Sequence, residues 1–288
     1  MTSEAALHAL WARLQEWIRR LGRTPRIGLA LGNGAAWGVG HIGVLSIIRA
    51  LRIPLSCIAG CSAGAFVGAL YAGGIEGDAL EACGRAYRWR DAGKLLFPPR
   101  MGLATNAPMA AYLQRKIGDL RFDQLRVPLY VVATNLVTGQ QKIFSEGPVI
   151  PAVRASCAIP GIFEPVLIDG ELYSDGTLVN RLPCEVLRKA GADLVIGVEL
   201  DLVERAVAPA NISEVIHRSI EIMLRGQDVR ERAAADLLIR PDLDGMNEFG
   251  FNKNDALIER GKQAALAQLA HWARPAAPAV AQEKEAGA

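Results

Sequence analysis

Gly60-Cys61-Ser62-Ala63-Gly64, reached through the apolar Cys57-Ile58-Ala59 and left through Ala65-Phe66-Val67-Gly68-Ala69-Leu70-Tyr71, decides how this chain folds. A serine with a glycine two places away on each side is the pattern of a nucleophile elbow. In an elbow a strand turns sharply into a helix and the hydroxyl is pushed out at the strand's C-terminal edge. Gly60 and Gly64 allow the strained turn and let the helix pack on the strand with no β-carbon in the way.

Upstream, Gly32-Asn33-Gly34-Ala35-Ala36-Trp37-Gly38 follows a strand candidate and precedes a helix that starts near His41. Backbone amides of such a loop point into the space above a sheet. They suit a phosphate at a helix N-terminus or the oxyanion of an acyl transfer. The rival dinucleotide reading requires an acidic residue at the end of the second strand. That strand ends in Gly60-Cys61-Ser62 instead.

Outward from these two turns, short β-rich runs alternate with helical ones, the layout of an α/β fold with a mostly parallel sheet covered on both faces. Strands are expected at 27–31, 55–59, 129–133, 141–144, 194–198 and 237–239. Helices are expected at 41–51, 63–72, 78–88, 107–117, 151–155, 183–190, 212–234 and 254–269. Two windows, 27–48 and 53–75, carry no Asp, Glu, Lys or Arg and have the length of a membrane span. Their glycine spacing argues for a buried strand, a tight turn and a buried helix.

Residues 1–25 form a separate N-terminal unit in this reading. Leu7, Leu10, Trp11, Leu14, Trp17, Ile18 and Leu21 share one face of a helix over 4–22. That face docks on the domain, on a second copy in a homo-oligomer, or on a membrane surface, which Trp and Arg suit. Residues 26–272 form the domain proper. Residues 273–288, rich in Ala, Pro, Gln, Glu and Lys, read as a disordered tail.

Of the 288 residues 51% are apolar and 22% charged, with a net charge of +2. This supports a large core and gives no field for nucleic acid. Five cysteines (57, 61, 83, 157 and 184), an odd number without Cys-x-x-Cys spacing, read as reduced core residues of a cytoplasmic protein. No metal site is expected. The N-terminus lacks the features of a secretory signal.

A serine needs a base. Among the four histidines, His8, His217 and His271 lie in helical or charge-rich contexts, and His41 opens a helix where a structural hydrogen bond is its default role. Aspartate is the other candidate. Asp169-Gly170 sits between two β-prone runs and reads as a hairpin turn. Asp175-Gly176 follows the second run, so Asp175 is either a solvated turn residue or a carboxylate delivered to the sheet's C-terminal edge.

With the glycine loop, Gly-x-Ser-x-Gly and Asp-Gly in this order, the chain resembles the patatin-like phospholipases, in particular their compact bacterial branch. The likeness runs from about Arg26 to Leu269. Val153-Arg154-Ala155-Ser156-Cys157-Ala158-Ile159-Pro160-Gly161-Ile162-Phe163 and Leu178-Val179-Asn180-Arg181-Leu182-Pro183 are similar to further family blocks. The resemblance implies a three-layer α/β/α fold and a cofactor-free Ser-Asp dyad of Ser62 and Asp175. It implies oxyanion donors around Asn33, Gly34 and Ala35, an acyl-enzyme, and lipid or acyl-ester substrates. An unperturbed Asp, at a pKa of about 3.9, is too acidic to be a good base near neutrality, so burial would have to raise it.

The chain departs from the family pattern where Trp37 stands in place of an arginine and Thr177 in place of a glycine, and in its poorer glycine loop. Ala35 is strained wherever that loop requires φ > 0. Trp37 is thereby a candidate for substrate specificity, favouring neutral esters over phospholipids. A lipid-binding or scaffold protein of weak or no activity is the alternative to a hydrolase.

Overall fold

The strands of the computed structural model, in chain order, are β1 (Ile27–Leu31), β2 (Leu55–Cys61), β3 (Lys94–Leu95), β4 (Ala104–Thr105), β5 (Leu129–Asn135), β6 (Gln141–Phe144), β7 (Val166–Ile168), β8 (Glu171–Asp175), β9 (Leu194–Val198) and β10 (Leu237–Ile239). The helices are α1 (Val39–Ala50), α2 (Ala63–Ala72), α3 (Gly77–Ala86), α4 (Trp89–Ala92), α5 (Ala107–Ile117), α6 (Val149–Ser156), α7 (Cys184–Lys189), α8 (Ile212–Leu224), α9 (Val229–Ala233) and α10 (Asn254–Trp272). The structure describes residues 24–200, 212–224, 229–247 and 250–272, with Ala12, Glu16 and Ala208. The expected tail at 273–288 lies outside them, as does the expected N-terminal helix apart from Ala12 and Glu16.

The main sheet runs β10-β9-β1-β2-β5-β8-β7, with β6 also paired to β5. Pairs among β10, β9, β1, β2 and β5 are parallel, while β6, β8 and β7 add antiparallel partners beyond β5. The expected mostly parallel α/β sheet is therefore present. Its parallel strands are buried on both faces, as crossover helices require.

The two faces are sorted by side-chain size. Leu29 and Leu31 of β1, Ile58 of β2, Val131 of β5 and Ile196 of β9 point into the larger core, among side chains of α1, α2, α5, α6 and α10. Ala30, Cys57, Ala59 and Val132 point the other way, onto Cys184, Val186 and Leu187 of the short helix α7. This period-2 sorting produces the three-layer α/β/α arrangement. All five cysteines are buried free thiols.

Both uncharged windows resolve into strand, turn and helix: β1 with α1, and β2 with α2. Among the described residues no helix is long and apolar enough to cross a membrane. Asp169 and Gly170 both have positive φ, 50° and 82°, as a two-residue hairpin turn between β7 and β8 demands. Within the helix expected over 212–234, the described residues are helical in α8 and α9. Residues 225–228, between them, lie outside the described set.

Candidate active site

Three chain segments meet at the C-terminal edge of the parallel strands. β1 leads into the glycine loop, β2 leads into Ser62, and β8 arrives antiparallel with Asp175 at its end. Cys61 is level with Val132 of β5, and the next β5 residue, Ala133, is level with Asp175. Ser62 and Asp175 thus come to the same height on strands that flank β5. Ser62 Oγ donates to Asp175 Oδ2 at 2.7 Å, and both side chains are buried.

The elbow is strained and pinned. Ser62 has φ 53° and ψ −121°, a conformation costing a non-glycine residue on the order of 1 kcal/mol or more. Its N–H donates to Ser156 Oγ at 2.8 Å, and Cys157 Sγ donates to its carbonyl oxygen at 3.1 Å, both from the C-terminal end of α6. A β-carbon on Gly64 would lie 2.1 Å from Leu31 O, and one on Gly60 would lie 2.6 Å from Ala65 N. Helix α2 therefore sits directly on the strand ends, aiming its N-terminus at Ser62.

Asp175 is held from several sides. Its Oδ1 accepts the Thr177 N–H at 2.9 Å, its N–H donates to Ala158 O at 3.0 Å, and its carbonyl accepts from Thr134 Oγ1 at 2.7 Å. The bond from Thr177 uses a backbone amide, so the threonine in place of glycine leaves it intact. Burial, and then the Asp175 charge, push the thiols of both Cys61 and Cys157 well above the ordinary range. Cys61 faces Thr177 Oγ1 at 3.8 Å as a packed neutral thiol.

In the glycine loop the three expected donors are not equivalent. The Asn33 N–H is engaged with Arg181 O at 3.0 Å. Gly34 and Ala35 open the short 3-10 turn Ala35–Gly38, and Ala35 has φ 45°. Their amides are not engaged by that turn, and both residues line a cavity that Ser62 also lines.

His41 lies beneath the loop, fully buried, and donates Nε2–H to Gly32 O at 2.8 Å. Burial lowers its pKa to about 4, so near neutrality it is an uncharged support of the loop. Trp37 is 2% exposed and packs in the larger core. It lines neither cavity at Ser62, so any influence on substrates would act through the position of the loop.

Ser62 stands between two cavities. One, of about 680 Å³ including its mouth, is walled by apolar side chains such as Val39, Phe66, Leu70, Met109 and Phe163. The other, of about 480 Å³, has Asn33, Asp175, Thr177 and the buried Arg181 on its walls. Ser156, Cys157 and Arg181 are the site residues that the sequence reading did not single out. Their only signal was their place in the two blocks quoted above. Among the described residues, no group of His, Cys, Asp and Glu is arranged to hold a metal ion.

Fold and site together define a class: a three-layer α/β/α protein with a serine elbow facing a carboxylate. Residues 29–188 match the family described as patatin-like phospholipase, and the chain belongs to that family. An uncharacterized NTE family protein of Mycobacterium tuberculosis is 36% identical over 62% of this chain and 50% of its own length. Lysophospholipase nte1 of Aspergillus fumigatus is 26% identical over 82% of this chain and 18% of its own. Human patatin-like phospholipase domain-containing protein 6 is 25% identical over 86% and 20%. The chain thus spans about half the length of the mycobacterial relative, and much less of the others. The crystal structure of VipD from Legionella pneumophila aligns with a TM-score of 0.50 at 14% identity, over 86% of this chain and 66% of VipD, and supports the fold.

Proposed function

We propose that this chain is a serine acyl hydrolase that cleaves carboxylic esters of lipids through Ser62 and Asp175. The observation that carries the reading is the 2.7 Å bond from Ser62 Oγ to Asp175 Oδ2 beside an apolar cavity. The lysophospholipase name of the fungal relative supports the same substrate class.

In this mechanism the Ser62 oxygen attacks the ester carbonyl while its proton passes to Asp175 Oδ2. The developing oxyanion is met by the amides of Gly34 and Ala35, with the N-terminus of α2 adding a favourable dipole. The acyl chain lies in the apolar cavity and the alcohol part on the side of Arg181. The tetrahedral intermediate expels the alkoxide, which takes the proton from Asp175, and leaves an acyl group on Ser62. Water then enters, gives a proton to Asp175, attacks the acyl carbon and restores Ser62.

The test is labelling with a fluorophosphonate probe, followed by p-nitrophenyl esters of increasing chain length. The expected result is a single adduct on Ser62 and a rise in kcat/KM with acyl length until the cavity is filled. Folded protein that neither labels nor turns over would refute the hydrolase and leave a lipid-binding protein using the same cavity.

A further inference from the structure

The hairpin of β3 and β4 carries apolar side chains in the wrong place for a water-facing surface. Phe97 is 100% exposed, Leu95 80% and Met101 62%, with Leu103 and Trp89 also exposed. A cluster of large apolar side chains on one projection marks an interaction site. The projection is not a loosely tethered loop. Leu96 N–H donates to Leu103 O at 2.9 Å, Ala104 N–H to Ile162 O at 2.8 Å, and Glu164 N–H to Ala104 O at 2.9 Å. A β-carbon on Gly102 would lie 2.3 Å from Glu164 N, so the base is seated tightly on the 162–164 segment. The tip is held out by its base.

Charge identifies the occupant. Lys94 and Arg100 on the hairpin, and Arg88 and Arg90 just before it in the chain, are exposed, against one acidic residue, Asp91, in the stretch 88–105. Apolar side chains flanked by cations complement a bilayer with anionic head groups, where the cations meet phosphates and the apolar groups enter the acyl boundary. The position relative to the cavity fits as well. Phe163, to which the hairpin base is bridged, and Trp89 and Ala92, just before β3, line the apolar cavity at Ser62.

We infer that the 94–105 hairpin, with Trp89 at its root, is a wedge that docks the protein on an anionic lipid surface and brings the mouth of the apolar cavity to that surface. Docking is independent of catalysis. Only the delivery of an acyl chain to Ser62 rests on the hydrolase reading, and the two fail separately in the test.

The full chain, and a Leu95→Ser/Phe97→Ser/Met101→Ser variant of it, are sedimented with vesicles of phosphatidylcholine alone and of phosphatidylcholine with phosphatidylglycerol. The expected result is binding that rises with phosphatidylglycerol, falls with salt, and drops by about tenfold or more in the variant. Lys94→Glu/Arg100→Glu should remove the preference for phosphatidylglycerol. Ser62→Ala should bind vesicles like wild type, which reads docking without turnover. Equal thermal unfolding and hydrolysis of a short soluble ester confirm that the hairpin variants are folded. A Phe97→Trp protein reports insertion directly, through quenching by brominated phosphatidylcholine beyond the wild-type background. Unchanged vesicle binding in the triple serine variant, indifference to phosphatidylglycerol, or quenching of the Phe97→Trp protein no greater than that of wild type would overturn the wedge.

Discussion

His41 is a buried base held neutral, and its removal should change how the protein responds to acid. The ring makes one hydrogen bond, to Gly32 O, and its pKa is lowered from 6.5 to about 4 by burial. Because the folded-state value lies below the unfolded one, the unfolded chain takes up the proton first. The stability that neutral His41 preserves is fully present above pH 6.5 and is lost as the pH falls toward and through 4. Integrating between those two values, protonation of the unfolded chain costs the fold about 2 kcal/mol on going from pH 7.5 to 5, with a limit of about 3.4 kcal/mol at lower pH.

The perturbation is His41→Gln, which can place an amide N–H near Gly32 O and does not titrate. Urea unfolding of both proteins at pH 7.5 and 5 is the assay. Groups common to both proteins cancel in the difference, so wild type should lose about 2 kcal/mol more than the variant. Equal losses would refute the neutral buried imidazole. The variant should also keep most of its ester hydrolysis at pH 7.5. Near-complete loss in folded protein would return His41 to the chemistry.

Ser62→Ala and Asp175→Asn should each remove most hydrolysis, and the double variant should be little worse than either, because two groups acting as a unit are not additive; full activity in folded Asp175→Asn would sink the dyad. Ser156→Ala strands the buried Ser62 N–H, so it should destabilise by about 1–3 kcal/mol and lower kcat in still-folded protein; unchanged unfolding and turnover would show that the elbow needs no such pin. Ala35→Gly should relieve the φ of 45° and, after the added freedom of the unfolded chain, stabilise by up to about 1 kcal/mol while keeping the amide. A lower melting temperature for that variant would show that the Ala35 methyl contributes more in packing than its backbone costs.

Much of this architecture was legible because it is written in turn chemistry. Gly60 to Gly64, Asp169-Gly170 and the loop from Gly32 fix where strands end, and the strand ends fix where side chains emerge. The two-faced sheet was harder to read. Ala30, Cys57 and Ala59 are as apolar as Leu29 and Ile58, so polarity is silent about faces and only size alternates. The support of the elbow by Ser156 and Cys157 was invisible for another reason: these contacts join residues more than ninety positions apart. The inequivalence of the loop amides likewise depends on Arg181 O, which only the folded chain brings to Asn33. Trp37 could be seen as a departure, but its place in the core follows from packing and not from spacing.

Because every thiol is buried, the native molecule presents its reagents with no ready target, and each alkylation event times an opening. The thiols are also well distributed for that purpose. Cys61 and Cys157 lie beneath the elbow, Cys57 and Cys184 sit on the small-residue side of the sheet, and Cys83 is in α3. Burial raises the pKa of Cys57, Cys61, Cys157 and Cys184, so they stay protonated and slow to react until exposed. Pulsed alkylation read by peptide mass would therefore rank how readily each region of the molecule breathes, using stopwatches the chain already carries.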